Sequence, residues 1–287
     1  MSNNVFLNGE YLAADRANVS VFDRGFIFGD GIYEVIPVYS GQPFRLTRHL
    51  ERLQSNLHAI DILSPYSNAE WSGIVSTLIN EIEARDQMVY LQITRGVAPR
   101  DHAFPDSTTP TVFAYSKPLG CPTDAELTTG VSAITSADIR WQRCDIKSIA
   151  LLGNVILRQQ AVAQGATEAI LLRDGYMTEG AASNIFIVKN GTLFTPPKNE
   201  QILPGITRDL VVELAHANDI ECNETSVSVD MLRSADEVWL TSSTKEVLPI
   251  VRLDNVDVGD GKPGAMHKII YNLYQAYKED FRNGNVQ

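Results

Sequence analysis

Lys147 has the surroundings most suggestive of covalent chemistry, because it stands within an apolar stretch of the chain, Asp145–Leu152. Apolar surroundings disfavour a charged ammonium, and the neutral amine is the form of lysine that attacks a carbonyl carbon to form an imine. The same context also fits a lysine whose methylene stem packs on apolar groups while its ammonium reaches water. The stretch by itself leaves both interpretations open.

A second group of residues could bind a phosphate. Gly205–Arg208 leads into a segment with helical spacing, and the free N–H groups of a helix start, with the Thr207 hydroxyl, suit an anion. The hydroxyl-rich segment Thr241–Thr244 follows a predicted strand and could add Ser242 and Ser243 as donors. The alternatives are simple capping of the helix by Thr207 and an ordinary hydroxyl-rich loop.

The sequence lacks the motifs of the commonest nucleotide, metal and hydrolase sites. It contains no P-loop, no strand-linked Gly-x-Gly-x-x-Gly, no His-Glu-x-x-His and no Gly-x-Ser-x-Gly elbow. The five histidines have no metal-ligand spacing, so no metal is expected. A net charge of −11 disfavours binding to nucleic acid or to an anionic membrane. We therefore expect the chemistry to depend on a bound organic cofactor.

The composition favours a cytoplasmic protein. Three cysteines are an odd and sparse set, which argues against a disulfide framework and fits a reducing compartment. The segment Met1–Glu10 lacks the basic start and apolar stretch of a secretion signal. No apolar run approaches the roughly 20 residues of a membrane-spanning helix.

The elements that position these residues predict a two-domain α+β or α/β fold, and 287 residues exceed the roughly 150 typical of one domain. Hairpin turns such as Asn8-Gly9 favour antiparallel strand pairing. Helices are expected over Leu46–Ile60, with Thr47 as a possible N-cap, and over Ile74–Ile82, Val155–Gln164 and Met266–Phe281, with another beginning near Thr207. The predicted division is a smaller domain at 1–117, a proline- and glycine-containing linker at 118–122, and a larger domain at 123–287.

Six segments, in order along nearly the whole chain, resemble the signature motifs of class IV aminotransferases, the fold type IV enzymes that use pyridoxal 5′-phosphate (PLP). These segments are Phe22–Phe26 with Phe28–Glu34, Arg48–Leu53, Asp145–Ser148 with Leu152–Asn154, Thr178–Gly180, Ser183–Phe186 and Leu203–Arg208. Agreement of six segments in order and spacing is far more specific than any one of them alone.

The resemblance implies a role for each matching residue, with PLP bound at the domain interface. Lys147 holds the cofactor as a Schiff base and then acts as general base and acid. Glu179 pairs with the pyridine nitrogen, and Arg52 binds the phosphate. The backbone amides of Ile206 and Thr207, with Ser242 and Ser243, complete the phosphate cradle. From the residues alone, Glu179 could instead be a surface carboxylate, and Arg52 a solvated residue paired with Glu51.

The segment Arg95–His102 is similar to the carboxylate-binding loop of the D-amino-acid transaminases within this family. The resemblance implies that Arg100 and His102, with Tyr33 and Val35 of the N-terminal signature, bind the substrate. In that subfamily the loop reaches the neighbouring subunit, which implies a homodimer with a shared active site. The alternative is that Arg100 and His102 simply face solvent.

The expected activity is therefore PLP-dependent transamination between a D-amino acid, such as D-alanine or D-glutamate, and 2-oxoglutarate or pyruvate. Branched-chain L-amino-acid transaminases carry an arginine where this chain has Pro37, which counts against that subfamily. An (R)-amine transaminase remains open, and an aminodeoxychorismate lyase fits the signature less well. A non-catalytic relative is disfavoured by the intact Lys147, Glu179 and Arg52.

Overall fold

The structure, a computed structural model, describes residues 4–286 and divides into two compact units. The first unit contains residues 4–120 together with Ile146–Leu151, and the second contains Cys121–Asp145 and Leu152–Val286. The short segment that carries Lys147 thus belongs to the first unit. The division at 1–117, 118–122 and 123–287 stays a prediction.

The elements of the first unit, in chain order, are β1 (Asn4–Leu7), β2 (Glu10–Ala13), α1 (Arg24–Phe28), β3 (Gly31–Tyr39), β4 (Gln42–Pro43), α2 (Leu46–Ala59), α3 (Asn68–Asn80), β5 (Gln87–Thr94) and β6 (Thr111–Pro118). The strands form a six-stranded antiparallel sheet in the order β2-β1-β6-β5-β3-β4. The core of this unit contains apolar residues of the sheet and of the helices α2 and α3.

Local sequence signals explain most of these boundaries. The hairpin predicted at Asn8-Gly9 is confirmed, and both residues have the positive φ angles, 51° and 97°, that a tight turn of this kind requires. Ser67 caps α3 and forms a capping box with Glu70, an arrangement that stabilises a helix by about 1 kcal/mol.

The predicted N-cap of α2 is wrong. The helix begins at Leu46, and the residue before it is Arg45, which has a left-handed φ of 52° and makes no side-chain capping bond. Thr47 therefore lies inside the first turn. The last residue of β4, Pro43, lies only three positions before the first residue of α2. This sharp turn imposes the left-handed conformation on Arg45, whereas a capping residue is usually extended.

The second unit contains a mixed ten-stranded sheet rather than a purely antiparallel one. The elements of this unit are α4 (Asp124–Thr129), β7 (Val131–Ala137), α5 (Leu152–Ala163), β8 (Glu168–Arg173), β9 (Tyr176–Gly180), β10 (Asn184–Lys189), β11 (Thr192–Thr195), α6 (Ile206–Ala217), β12 (Cys222–Glu224), β13 (Val227–Ser228), α7 (Val229–Arg233), β14 (Glu237–Ser242), β15 (Glu246–Leu253), β16 (Val256–Asp257) and α8 (Ala265–Arg282). The parallel pairs are β7 with β8, β7 with β15, and β11 with β12.

The expectation of antiparallel pairing is thus wrong for part of this sheet. Hairpin turns such as Asp174-Gly175 reveal only the pairing of consecutive strands. The strands β7 and β8 are instead joined through α5, and such a helical crossover brings two strands side by side in parallel.

The closing helix α8 is amphipathic, as its spacing predicts. Its buried residues include Ile270, Tyr274 and Phe281, which recur at intervals that place them on one face. Within residues 4–286, no helix combines the length and the apolar character that crossing a membrane demands.

Candidate active site

Lys147 lies beside the first residues of β3. Its carbonyl oxygen accepts a hydrogen bond from the Tyr33 backbone N–H at 3.0 Å, and Ile149 donates to the Gly31 carbonyl at 3.0 Å. The side chain is half-buried, and its Nζ atom lies 4.2 Å from the centroid of the Tyr33 ring. The structure therefore brings together two predicted site residues that are far apart in the sequence.

Tyr33 and Val35 share one face of the sheet, because alternate residues of a strand point the same way. The Tyr33 ring stacks on Tyr90 with 5.7 Å between the ring centroids, and Val35 is the register partner of Tyr90. The Tyr90 hydroxyl donates to Gln92 Oε1 at 2.8 Å. Burial, with Tyr33 and Tyr115 nearby, raises the pKa of Tyr90, so this hydroxyl stays protonated at neutral pH. The Lys147 amine thus lies close to an aromatic sheet face.

Glu34 points to the opposite, buried face, where Arg52 and His49 of α2 bind its carboxylate. Arg52 donates from Nε to Oε1 and from Nη2 to Oε2, each at 2.8 Å, and His49 Nδ1 lies 2.8 Å from Oε2. Burial alone would raise the pKa of Glu34, but Arg52 and His49 hold it well below its usual range. Burial lowers the pKa of His49 despite the neighbouring Glu34.

Arg52 is therefore neither solvated nor paired with Glu51. Its side chain is 9% exposed, and the exposed Arg48 is the residue that pairs with Glu51, at 3.3 Å. The two-point contact with Glu34 fixes the plane of the Arg52 guanidinium. Glu34 and His49, the partners that orient Arg52, were not among the predicted site residues, although both lie within the matching motifs.

Arg100 and His102 lie in an exposed loop, and both side chains lie near the ring of Phe28. The Arg100 guanidinium carbon lies 5.3 Å from the Phe28 ring centroid, and the His102 ring centroid lies 5.4 Å from it. Phe28 is the last residue of α1, in the N-terminal signature. The structure thus brings together the two loop residues for which a shared role in carboxylate binding is predicted.

Glu179 is buried in the second unit, at the end of β9, and is not a surface carboxylate. Its Oε2 atom accepts hydrogen bonds from Asn184 Nδ2 and from the Leu203 backbone N–H, each at 3.0 Å. Its Oε1 atom contacts Arg140 Nη1. Burial raises the pKa of Glu179 to about 7, although Arg140 and the Leu203 amide oppose the rise.

Arg140 is a third residue of the candidate site that the sequence motifs did not indicate. It joins Glu179 to Asp138, donating to Asp138 Oδ1 from Nε and to Oδ2 from Nη2, each at 2.9 Å. Burial would lower the pKa of Arg140, but Asp138 and Glu179 raise it, so the guanidinium stays charged. Asp138 lies only two residues before Arg140, but the contact with Glu179 joins segments that are 39 residues apart, so the local sequence did not reveal it.

The start of α6 is the segment in which a phosphate cradle is predicted. Gly205 is the N-cap and makes no side-chain capping bond, so Thr207 is not the cap, and both Ile206 and Thr207 are buried in the first turn. A Cβ atom on Gly205 would lie 1.9 Å from Asn184 Oδ1, which means that only glycine allows this close approach. Asn184 is the residue that also binds Glu179.

A buried hydroxyl without a partner supports the same interpretation. Thr241 pairs with Asn184 in the sheet register, and its Oγ1 atom is buried with no hydrogen-bond partner in the structure. Such an unsatisfied group is costly unless a ligand or water completes its bonding. Ser242 ends β14, and half-buried Ser243 lies in the turn that follows. Uncapped amides, a required glycine and an unpartnered hydroxyl together fit the phosphate of PLP.

Comparison with known proteins identifies the family. The class IV amino-transferase family model matches residues 31–253, which is more than half of the chain. The chain is 42% identical over 271 residues to the D-alanine aminotransferase of Bacillus licheniformis, covering 94% of this chain and 95% of that protein. It is 41% identical over 276 residues to the D-alanine aminotransferase of Staphylococcus haemolyticus, covering 96% and 98%.

A solved structure shows the same fold. The branched-chain amino acid aminotransferase of Escherichia coli superposes with a TM-score of 0.91 at 28% identity, covering 96% of this chain and 94% of that one. The predicted fold type IV architecture is therefore confirmed. Together with the family match, this shows that the chain belongs to the class IV aminotransferases.

Proposed function

We propose that this aminotransferase is a D-amino-acid transaminase that uses PLP to move an amino group between a D-amino acid and a 2-oxo acid. D-alanine or D-glutamate would be the donor, and pyruvate or 2-oxoglutarate the acceptor. Identity of 41–42% to D-alanine aminotransferases over nearly the whole chain supports this activity. The observation that supports the substrate class is the placement of Arg100 and His102 near one ring, Phe28, which brings two hydrogen-bond donors together.

When bound, PLP supplies a carbonyl carbon that an amine can hold covalently and a ring that accepts electrons from the substrate. The α6 amides of Ile206 and Thr207, with Ser242 and Ser243, would bind its phosphate, and Arg52 would neutralise the phosphate charge. Glu179 would bind the pyridine nitrogen. Arg140 favours the ionised form of Glu179, which is the form that pairs with a protonated nitrogen.

Lys147 is the proposed base. Its Nζ atom would take the proton from the substrate Cα and pass it to the cofactor in the first half of the cycle, and in the second half it would move a proton from the cofactor to Cα of the acceptor. The Tyr33 ring, 4.2 Å away, restricts where this amine can lie. Because Lys147 delivers its proton from one direction only, the face of Cα turned towards it sets the product configuration.

Substrate orientation would come from the carboxylate site. Arg100 and His102, with the Tyr33 phenol, offer several donors to one carboxylate, and Val35 would contact the substrate beside Tyr33. Fixing the carboxylate leaves two ways to place hydrogen and side chain on Cα, and only one directs the hydrogen at Lys147. This arrangement would select one enantiomer.

The test is a half-reaction on purified enzyme. D-Alanine, L-leucine and (R)-1-phenylethylamine are added separately, and the absorbance band of the lysine-bound cofactor is followed. We expect rapid bleaching with D-alanine alone. Bleaching mainly with L-leucine or with the amine would overturn the substrate assignment while leaving the family intact, and absence of the band would remove the proposed PLP chemistry.

A branched-chain L-amino-acid specificity is the second candidate, because the E. coli neighbour of that name has the same fold. The curated relatives at higher identity are D-alanine aminotransferases, and Pro37 stands where the branched-chain subfamily carries an arginine. An (R)-amine transaminase differs by loop residues, so the half-reaction with the amine tests that alternative directly.

Arg100→Ala is expected to raise the KM for both D-alanine and 2-oxoglutarate by about 10- to 100-fold, because a charge-assisted hydrogen bond contributes roughly 1.5–3 kcal/mol. Since the carboxylate is held in both ground and transition states, kcat should change much less. Steady-state kinetics with each substrate varied in turn measures this effect. An unchanged KM would remove Arg100 from the carboxylate site.

We further propose that the active form is a homodimer in which Arg100 and His102 serve the partner's active site, as the resemblance implies. Mixing inactive Lys147→Ala subunits with Arg100→Ala subunits would then create one intact site in each mixed dimer. Activity well above that of either parent supports the sharing of sites. No gain after verified subunit exchange would contradict it.

A further inference from the structure

The loop that carries Arg100 and His102 is attached to the N-terminal signature by backbone hydrogen bonds at its start. Arg24 N–H donates to the Gly96 carbonyl at 2.9 Å, and Arg95 N–H donates to the Asp30 carbonyl at 3.1 Å. Val97 forms an isolated antiparallel bridge with Asp23. These contacts fix where the loop begins, but they do not reach Arg100.

Arg24 reaches the centre of the loop with its side chain. Its Nη1 atom donates to the Asp101 carbonyl at 2.6 Å and to the Ala103 carbonyl at 3.3 Å. Asp101 is the residue between Arg100 and His102, so one buried guanidinium binds the backbone that carries both side chains. Arg24 is 3% exposed, and water therefore competes little for these bonds.

Asp30 holds Arg24 in this orientation. Its Oδ2 atom lies 2.7 Å from Arg24 Nε and 2.8 Å from Arg95 Nε, and its Oδ1 atom accepts from Arg95 Nη2 at 3.1 Å. The Arg95 guanidinium carbon lies 3.6 Å from the centroid of the Phe104 ring, beyond His102. The Asp30 carboxylate thus connects the two arginines that contact the loop, Arg24 at the Asp101 and Ala103 carbonyls and Arg95 at the Phe104 ring.

The Phe28 ring completes the arrangement. The Arg24 guanidinium carbon lies 4.8 Å from its centroid, on the ring that Arg100 and His102 also contact. A cation near an aromatic face is attracted by about 0.5–1 kcal/mol, which is enough to bias an exposed side chain such as Arg100 towards one position.

We propose that Arg24 and Asp30 are positioning residues that set the geometry of the Arg100 and His102 carboxylate site through the Asp101 backbone and the Phe28 ring. This inference rests on the proposed function of that site. Neither Arg24 nor Asp30 needs to touch the substrate. Their effect would be on KM for every carboxylate substrate, and it would operate only through Arg100 and His102.

Arg24→Lys is the sharpest test, because lysine keeps the charge but cannot bind Asp30 and the Asp101 carbonyl with separate fixed donors. In the PLP-loaded enzyme we expect KM for both D-alanine and 2-oxoglutarate to rise by about tenfold or more, with kcat within about twofold. Arg48→Lys is the matched control, because Arg48 is 60% exposed and pairs with the exposed Glu51 of the same helix. It should leave both constants unchanged.

The double variant distinguishes positioning from a general structural defect. In an Arg100→Ala background, Arg24→Lys should add less than about twofold to KM, because coupled residues are not additive. If the two substitutions raise KM by fully additive amounts, the positioning role of Arg24 is wrong. It is also wrong if Arg100→Ala raises KM while Arg24→Lys leaves KM unchanged. Either result would leave the proposed carboxylate site intact. An unchanged KM in Arg100→Ala would instead overturn the carboxylate site and this inference with it.

Phe28→Leu gives an independent variant should Arg24→Lys fold poorly. It removes the aromatic platform and leaves the Arg24–Asp30 ion pair in place, and the same selective rise in KM is expected. A normal KM in a folded Phe28→Leu enzyme would exclude the ring from the positioning mechanism and contradict the proposal as stated.

Discussion

Replacing Lys147 by alanine is expected to abolish transamination, with a loss in kcat of at least about 10²–10⁴-fold, the scale of a lost general acid–base group. Alanine can neither hold the cofactor covalently nor take the proton from Cα. The amine lies in a half-buried position beside Tyr33, where a water molecule would be a poor substitute for a positioned base. Pyruvate formation from D-alanine, followed with a coupled assay, measures the loss.

Lys262→Ala is the matched control, because Lys262 is exposed in the loop before α8. Its replacement should leave kcat unchanged. Borohydride reduction provides a readout independent of turnover. It should link the cofactor to the peptide containing Lys147 in the unchanged protein, and to no peptide in the variant. Turnover near normal in a folded Lys147→Ala enzyme would exclude Lys147 as the catalytic residue.

Glu34→Gln is expected to lower the free energy of unfolding by about 3–5 kcal/mol, the usual cost of removing one partner from a buried ion pair. The amide cannot neutralise the Arg52 guanidinium, whose side chain is only 9% exposed, and it binds His49 less strongly. The orientation of Arg52 would also be lost. Cofactor affinity should therefore fall together with stability.

The difference in the free energy of unfolding between the original protein and Glu34→Gln should depend on pH in one direction. The pKa of Glu34 is lower in the folded protein than its ordinary value of 4.5. Such a carboxylate contributes its full stability above pH 4.5, and the contribution is lost as the pH falls towards the folded-state pKa. The gap between the original protein and Glu34→Gln should thus be constant near neutrality and shrink in acid.

Denaturant unfolding of the cofactor-free proteins at several pH values tests this expectation. Glu51→Gln is the control, because Glu51 forms an exposed pair with Arg48 that should contribute at most about 1 kcal/mol. Equal small effects for the two substitutions would show that Glu34 is not the central charge of this network. A gap that widens as the pH falls below 4.5 would contradict the low pKa of Glu34.

Local signals in the sequence were sufficient for most individual elements and for the candidate chemistry. The spacing of Leu50, Leu53 and Leu57 predicted α2, and the turn at Asn8-Gly9 predicted the first hairpin. The order and spacing of short motifs indicated the class IV family, which the comparisons confirmed. Turns and helices depend on neighbouring residues, and the family motifs depend on residue types at fixed distances along the chain. Both can therefore be recognised in the sequence alone.

The partners of the charged residues were decided only by tertiary structure. On sequence spacing Arg52 could pair with Glu51, yet the packing of α2 on β3 brings it to Glu34. Glu179 lies between Asn184, Leu203 and Arg140, which come from separate segments. Burial then sets the charge state, since the pKa of Glu34 falls while that of Glu179 rises to about 7.

By itself, the sequence thus determined the family and the positions of most helices and hairpins. Tertiary structure decided that β7 and β8 are parallel, that Gly205 is the α6 cap, and that Arg24 binds the backbone of the Arg100 loop. The physical reason is that strand register and burial depend on residues distant in the chain, whereas turn chemistry and helical periodicity depend on residues nearby.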